Sequence, residues 1–187
     1  VELSARYIAD RFLPDKAIFS KIETDLRTLE KQIRERSYLV AGLYFRLLDE
    51  RVDYEKNFYF EGGIKSLVDH LNKNKNVLHP PIVIKKATPD LAVEIAISYN
   101  DTFTETIESF ANVINTQEGG AHLSGFRSGL TRAINDYAKK IGAVKDGEEN
   151  LTGEDMREGL TAVIAIRMNS AKLEFEGQTK TKLGNAE

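Results

Sequence analysis

Gln178, Lys180 and Lys182 stand in the run Phe175-Glu-Gly-Gln-Thr-Lys-Thr-Lys-Leu-Gly-Asn185, a polar segment flanked by Gly177 and Gly184 that follows an apolar stretch. A lysine ammonium on such a loop is a mobile point charge suited to a polyphosphate, and the glycines let the backbone bend sharply on either side. Taken alone, a Gln-Thr-Lys reads as a solvated basic turn, and only its company elsewhere in the chain changes that. Two Gly-Gly pairs, Glu61-Gly62-Gly63 and Glu118-Gly119-Gly120, each precede a helical pattern. They read as strand-to-helix turns rather than phosphate cradles. His122, just after the second pair, reads as a capping or packing residue rather than a catalyst. With no cysteine and three scattered histidines, the chain offers no thiolate or histidine ligand spacing, and no structural metal is expected.

These residues need a frame. Leu26, Leu29 and Ile33 share a helical face, so Asp25–Val40 reads as an amphipathic helix ended by Gly42. Strands are expected at Leu43–Leu48 and Phe58–Phe60, joined by the charged run Asp49–Lys56. Ile64, Leu67, Val68 and Leu71 form one face of a short helix. His79-Pro80-Pro81 cannot continue a helix and marks the best boundary. Beyond it, Ile82–Lys86, Leu91–Tyr99, Thr104–Val113 and Leu160–Met168 read as strands, and Leu123, Phe126, Leu130, Ile134 and Tyr137 as the stripe of a long helix. Thr152 with Asp155 suggests the start of a short helical turn.

The 187 residues, 41% of them hydrophobic, can build a genuine core as one domain or two small ones. No apolar stretch reaches membrane-spanning length, and Val1–Arg6 lacks the pattern of a signal peptide, so a cytoplasmic protein is expected. A formal net charge of −3 does not suggest a protein that coats nucleic acid by charge alone. Any DNA contact must come from a local basic patch.

Four segments, taken in order, carry a resemblance: Tyr59-Phe-Glu-Gly-Gly-Ile-Lys-Ser66, Glu118-Gly-Gly-Ala-His-Leu-Ser-Gly-Phe-Arg-Ser-Gly-Leu-Thr-Arg-Ala-Ile-Asn-Asp-Tyr137, Thr152-Gly-Glu-Asp-Met-Arg-Glu-Gly-Leu-Thr-Ala-Val163, and the run ending at Asn185. From about Arg11 onward the chain resembles the B subunit of bacterial DNA gyrase and its topoisomerase IV paralogue, the type IIA topoisomerase ATPase subunits. The resemblance implies an α+β fold. Residues 1–80 would be the C-terminal part of an ATPase domain of the Hsp90 and histidine-kinase type. Residues 81–187 would be a transducer domain like the second domain of a small-ribosomal-subunit protein, with both ends of the chain expected to be cut.

The same resemblance implies that Lys180 contacts the γ-phosphate of ATP with Gln178 beside it, and that Arg127 lines the cavity through which a DNA duplex passes. Arg127 read by itself is equally a surface salt-bridge partner, and Arg132 has a weaker claim to the cavity. Lys182 reads as a solvated neighbour. The family's catalytic glutamate and magnesium-binding asparagine precede the region represented, so ATP and Mg2+ are implied with the magnesium ligands elsewhere, and the isolated chain is expected to be inactive. Implied partners are double-stranded DNA, the topoisomerase A subunit and a second B subunit on ATP binding, with no membrane. The alternative is a non-enzymatic module that keeps the transducer fold without nucleotide coupling.

The chain departs from the family pattern at three places. Ala5-Arg-Tyr-Ile-Ala-Asp10 stands where the family has a glycine-threonine pair. Arg167–Glu174 replaces a shorter proline-containing link, and Ala121 replaces a usual threonine.

Overall fold

The structure, a computed structural model, describes residues 14–21, 23–145 and 148–185. The departure at Ala5–Asp10 lies outside them.

Helix α1 (Leu26–Leu39) starts where Asp25 accepts hydrogen bonds from the backbone N–H of Arg27 and Thr28 at 3.3 and 3.0 Å. A cap of this kind contributes about 1 kcal/mol. Leu26, Leu29 and Ile33 are only half-buried, and the tight packing falls at the end of the helix on Ser37, Tyr38 and Leu39. Strands β1 (Phe45–Asp49) and β2 (Tyr54–Phe58) pair antiparallel, with Phe45 opposite Phe58 and Asp49 opposite Tyr54. The second strand therefore begins inside the charged run expected to be a loop and ends at Phe58, where the expected strand was to start. Polar contacts hold it there. Glu30 of α1 accepts from Tyr54 Oη at 2.8 Å and from Lys56 Nζ at 2.6 Å, and also pairs with Arg34.

Helix α2 (Ile64–Leu71) buries Ile64, Leu67 and Val68. They join Tyr38 and Leu39 and pack against Ala96, Phe110, Val163 and Ala165, so one apolar cluster runs across the Pro80-Pro81 position.

The sheet they cover contains β3 (Ile82–Ala87), β4 (Leu91–Tyr99), β5 (Thr106–Ala111), β6 (Ile114–Asn115) and, between β4 and β5, β8 (Leu160–Met168). Two further pieces, β7 (Gly119–Gly120) and β9 (Lys182–Leu183), pair separately. Only the β5–β8 neighbours of the large sheet run parallel. The expected strand Thr104–Val113 is shorter because Asn112 and Val113 both take positive φ, 46° and 65°, and turn the chain into β6. The Asn112 side chain fixes the turn by donating to the Met168 carbonyl at 2.7 Å and accepting from Met168 N at 2.9 Å.

Strand β8 is buried from Leu160 to Ile166 because both of its faces are covered. Val163 and Ala165 face α1 and α2, while Leu160, Ala162 and Ile164 face the long helix α3 (Ala121–Lys140) through Leu123, Phe126 and Leu130. The stripe stops short of its expected end, since Tyr137 is 61% exposed. In the last turns of α3, Asn135 and Ala138 are buried instead, and Asn135 clamps the Leu151 backbone through its amide at 3.0 and 2.9 Å. As the sequence suggests, Thr152 and Asp155 bond reciprocally and open a 3₁₀ turn, Asp155–Arg157.

Candidate functional site

Beyond β8 the chain folds into a small hairpin that presents residues 177–181. Phe175 bridges Leu183, Glu176 N–H donates to the Lys182 carbonyl at 3.0 Å, and Gly184 N–H donates to the Glu174 carbonyl at 2.9 Å. The tip closes through Lys180 N–H to the Gly177 carbonyl at 3.3 Å. Lys180 itself has φ 55°, a left-handed conformation that costs a non-glycine residue on the order of 1 kcal/mol and tends to concentrate at functional sites. Gln178 and Lys180 are exposed. Among the described residues Lys180 has no carboxylate partner; its ammonium lies 5.9 Å from the Phe175 ring centroid. Lys182 pairs with Glu176 at 3.1 Å, in keeping with a solvated neighbour. The altered link before the hairpin forms a 3₁₀ turn, Ser170–Lys172, in which Lys172 pairs with Asp90 at 2.8 Å.

The hairpin is fastened to the start of α3. Gly119 pairs with Lys182 and Gly120 with Leu183 in a short parallel ladder, so the Glu118-Gly-Gly turn expected from the sequence is also a strand. Glu118 N–H donates to the Thr181 carbonyl at 2.9 Å, and Thr181 Oγ1 returns a bond to Glu118 Oε1 at 2.7 Å. The approach of the two backbones is close: a Cβ on Gly120 would meet Leu183 Cβ and its carbonyl oxygen, each at 2.6 Å. Thr179 and Thr181 also line a cleft of about 470 Å³ with Thr28, Lys31 and Arg36 of α1.

At the second residue of α3, His122 bonds Thr116 Oγ1 through Nε2 at 2.9 Å. Thr116 Oγ1 donates to the Ser109 carbonyl at 2.8 Å, which leaves it to accept from His122. Burial lowers the His122 pKa, and its Nδ1 has no protein partner. His122 is a packing residue, as the sequence implied.

Arg127 lies on α3 over an open cleft of about 550 Å³ that it shares with Arg132, Lys139 and Arg157. Its guanidinium is engaged: Nε and Nη2 reach Glu105 Oε1 at 3.2 and 3.0 Å, and Nη2 reaches Oε2 at 3.1 Å. Arg157 Nε reaches the same Oε1 at 3.2 Å. The salt-bridge reading of Arg127 therefore describes the geometry. Local sequence gives no signal for Glu105 or for the Glu118–Thr181 link, because each contact joins segments far apart in the chain. Among the described residues no three His, Cys, Asp or Glu side chains gather as a metal site, and no helix is long and apolar enough to cross a membrane.

A family profile described as DNA gyrase B matches residues 63–187. One described as an AAA lid domain matches residues 1–19, and the departure at Ala5–Asp10 falls inside it. The DNA gyrase B protein of Clostridium acetobutylicum is 51% identical over 178 residues, covering 94% of this chain and 28% of the relative. The 43K ATPase domain of Thermus thermophilus gyrase B, solved with an aminocoumarin, superposes with a TM-score of 0.76 at 34% identity, over 91% of this chain and 45% of that one. The gyrase B structure from Myxococcus xanthus gives 0.78 at 26% identity, over 94% and 49%. The chain thus spans less than half the length of the proteins it matches.

Proposed function

The chain belongs to the DNA gyrase B family, and on that premise we propose that it is the part of an ATP-dependent type IIA topoisomerase B subunit that couples the nucleotide state to DNA strand passage. Residues 1–80 close the ATPase domain and 81–187 form the transducer. The whole protein works in the cytoplasm with a topoisomerase A subunit and double-stranded DNA, and a second B subunit joins on ATP binding. Magnesium is held by residues outside this chain, and the chain alone turns over no ATP.

One observation carries the reading. Lys180 is exposed, lacks a carboxylate partner among the described residues, and is held at positive φ on a hairpin bolted to α3. This donor set suits a terminal phosphate: Lys180 supplies a point charge and Gln178 an amide donor beside it. ATP, when bound, supplies the charged γ-phosphate that the pair senses and whose loss on hydrolysis releases them. Because Thr181 is bonded to Glu118 and Leu183 packs on Gly120, a displacement of the hairpin is passed to the first turn of α3. That helix carries Arg127, which with Arg132 faces the transported duplex and meets phosphates without reading sequence.

The test is DNA-stimulated ATP turnover by the full-length B subunit with its A subunit. Lys180→Ala should lower turnover about 10²-fold, the usual loss for one donor aimed at developing charge, with the circular dichroism spectrum unchanged. Unchanged turnover would reduce the hairpin to a solvated turn.

A further inference from the structure

Glu105 offers one carboxylate to two guanidiniums brought by different elements, Arg127 from α3 and Arg157 from the 3₁₀ turn. Neither arginine pairs with another carboxylate among the described residues, and all three side chains are partly open to solvent. Arg127 presents its Nε/Nη2 edge to Glu105. A planar carboxylate and a phosphodiester are recognised by that same fork, so the two anions compete for it. The neighbouring cations of the cleft, Arg132 and Lys139, have no carboxylate partner among the described residues.

We propose that Glu105 is an internal stand-in for a DNA phosphate, a brake that occupies Arg127 and Arg157 so that the cleft holds a duplex weakly enough to let it go. The proposal rests on the reading of this cleft as the DNA-facing surface. A duplex entering the cleft engages Arg132 and Lys139 at once, whereas Arg127 and Arg157 bind phosphate only by releasing Glu105. Capture and release are thereby separated: two free cations attract the duplex, and two guarded ones limit how tightly it is retained. A surface built purely for retention would leave all four free.

The experiment measures binding of the full chain to a short random-sequence duplex across about 50 to 200 mM salt. Glu105→Gln keeps the side-chain shape and one acceptor oxygen while removing the charge. It should tighten binding about tenfold at the low-salt end and steepen the slope of log K against log salt by about 0.9 for each phosphate newly neutralised. Adding Arg127→Ala to Glu105→Gln should remove about half of the gain. Glu105→Ser, which removes the fork as well as the charge, should reproduce the direction, and urea midpoints confirm that each variant is folded. Equal or weaker binding by folded Glu105→Gln with an unchanged slope, while Arg127→Ala and Arg132→Ala still weaken binding, overturns the brake and leaves the DNA surface standing. Binding and slope indifferent to Arg127→Ala, Arg132→Ala and Arg157→Ala together overturn the DNA surface, and the brake with it.

Discussion

Alanine at Gly120 and alanine at Gly125, five residues apart, should move stability in opposite directions. Gly120 has φ 137° and ψ −169°, a region essentially reserved for glycine, in which a side chain costs about 1–3 kcal/mol. Its added Cβ would also sit 2.6 Å from Leu183 Cβ and 2.6 Å from the Leu183 carbonyl, one of them rigid backbone. Overpacking of this kind costs about 1–3 kcal/mol more. The sum is about 2–6 kcal/mol, and even a value near the lower end, about 3 kcal/mol, is enough to open the β7–β9 ladder rather than be absorbed. Gly125 lies inside α3, and its Cβ would meet nothing within 4 Å, so alanine there gains helix propensity, roughly 0.8–1 kcal/mol. Urea denaturation reads both: at an m-value of about 2 kcal/mol per M, the Gly120→Ala midpoint falls by about 1.5 M and the Gly125→Ala midpoint rises by about 0.4 M. Trypsin should also cut after Lys180 and Lys182 faster in Gly120→Ala, because β9 loses its partner. Two variants shifting in the same direction, or a neutral Gly120→Ala with unchanged cleavage, would refute the claim that the hairpin is locked to α3 by backbone contact.

Two further perturbations probe the packing of α2 and α1 on the sheet. Asn72, just past α2 and 3% exposed, accepts from Thr161 Oγ1 at 2.7 Å and from Asn100 Nδ2 at 3.3 Å. Asn72→Ala strands the Thr161 hydroxyl and should cost about 2 kcal/mol in urea denaturation, with a smaller added cost when combined with Thr161→Val. A fully additive pair would show that the two groups do not interact. Glu108 on β5 has an Oε2 without a partner; burial raises its pKa, Glu35 of α1 raises it further and Lys31 opposes. A folded pKa above the unfolded value means that the folded state binds more protons, so this contribution is complete below about pH 4.3 and is lost as pH rises through the folded pKa. Glu108→Gln should therefore stabilise the protein at pH 7 and have little effect at pH 4. A urea-midpoint difference independent of pH would contradict this.

What the sequence made legible were the elements with strong periodicity or unbroken apolar runs. Helix α1, β4 and the buried β8 fall where the pattern puts them, although the pattern does not foresee the Asp25 cap. Strand β2 escaped because its stabilisation is polar: Tyr54 and Lys56 reach Glu30, and no apolar alternation announces it. Tyr137 continued the α3 stripe in spacing alone: Leu123, Phe126 and Leu130 pack against β8, whereas Tyr137 is exposed. The β7–β9 pairing joins two residues to two others 63 positions away, with glycines on one side, and carries no local propensity. The candidate site divides in the same way. Gln178 and Lys180 were nominated by glycine-flanked polarity and family resemblance, whereas Glu105, the partner of Arg127 and Arg157, became visible only when the segment before β5, α3 and the Asp155–Arg157 turn met.

The proposed contact between the 177–181 hairpin and the terminal phosphate of ATP has a direct readout. It is tested most directly by following tryptic cleavage after Lys180 in the full-length protein with a non-hydrolysable ATP analogue or with ADP. The analogue should protect this bond, and ADP should leave it as accessible as in the free protein. Equal cleavage with both nucleotides, at concentrations where both are bound, would contradict it.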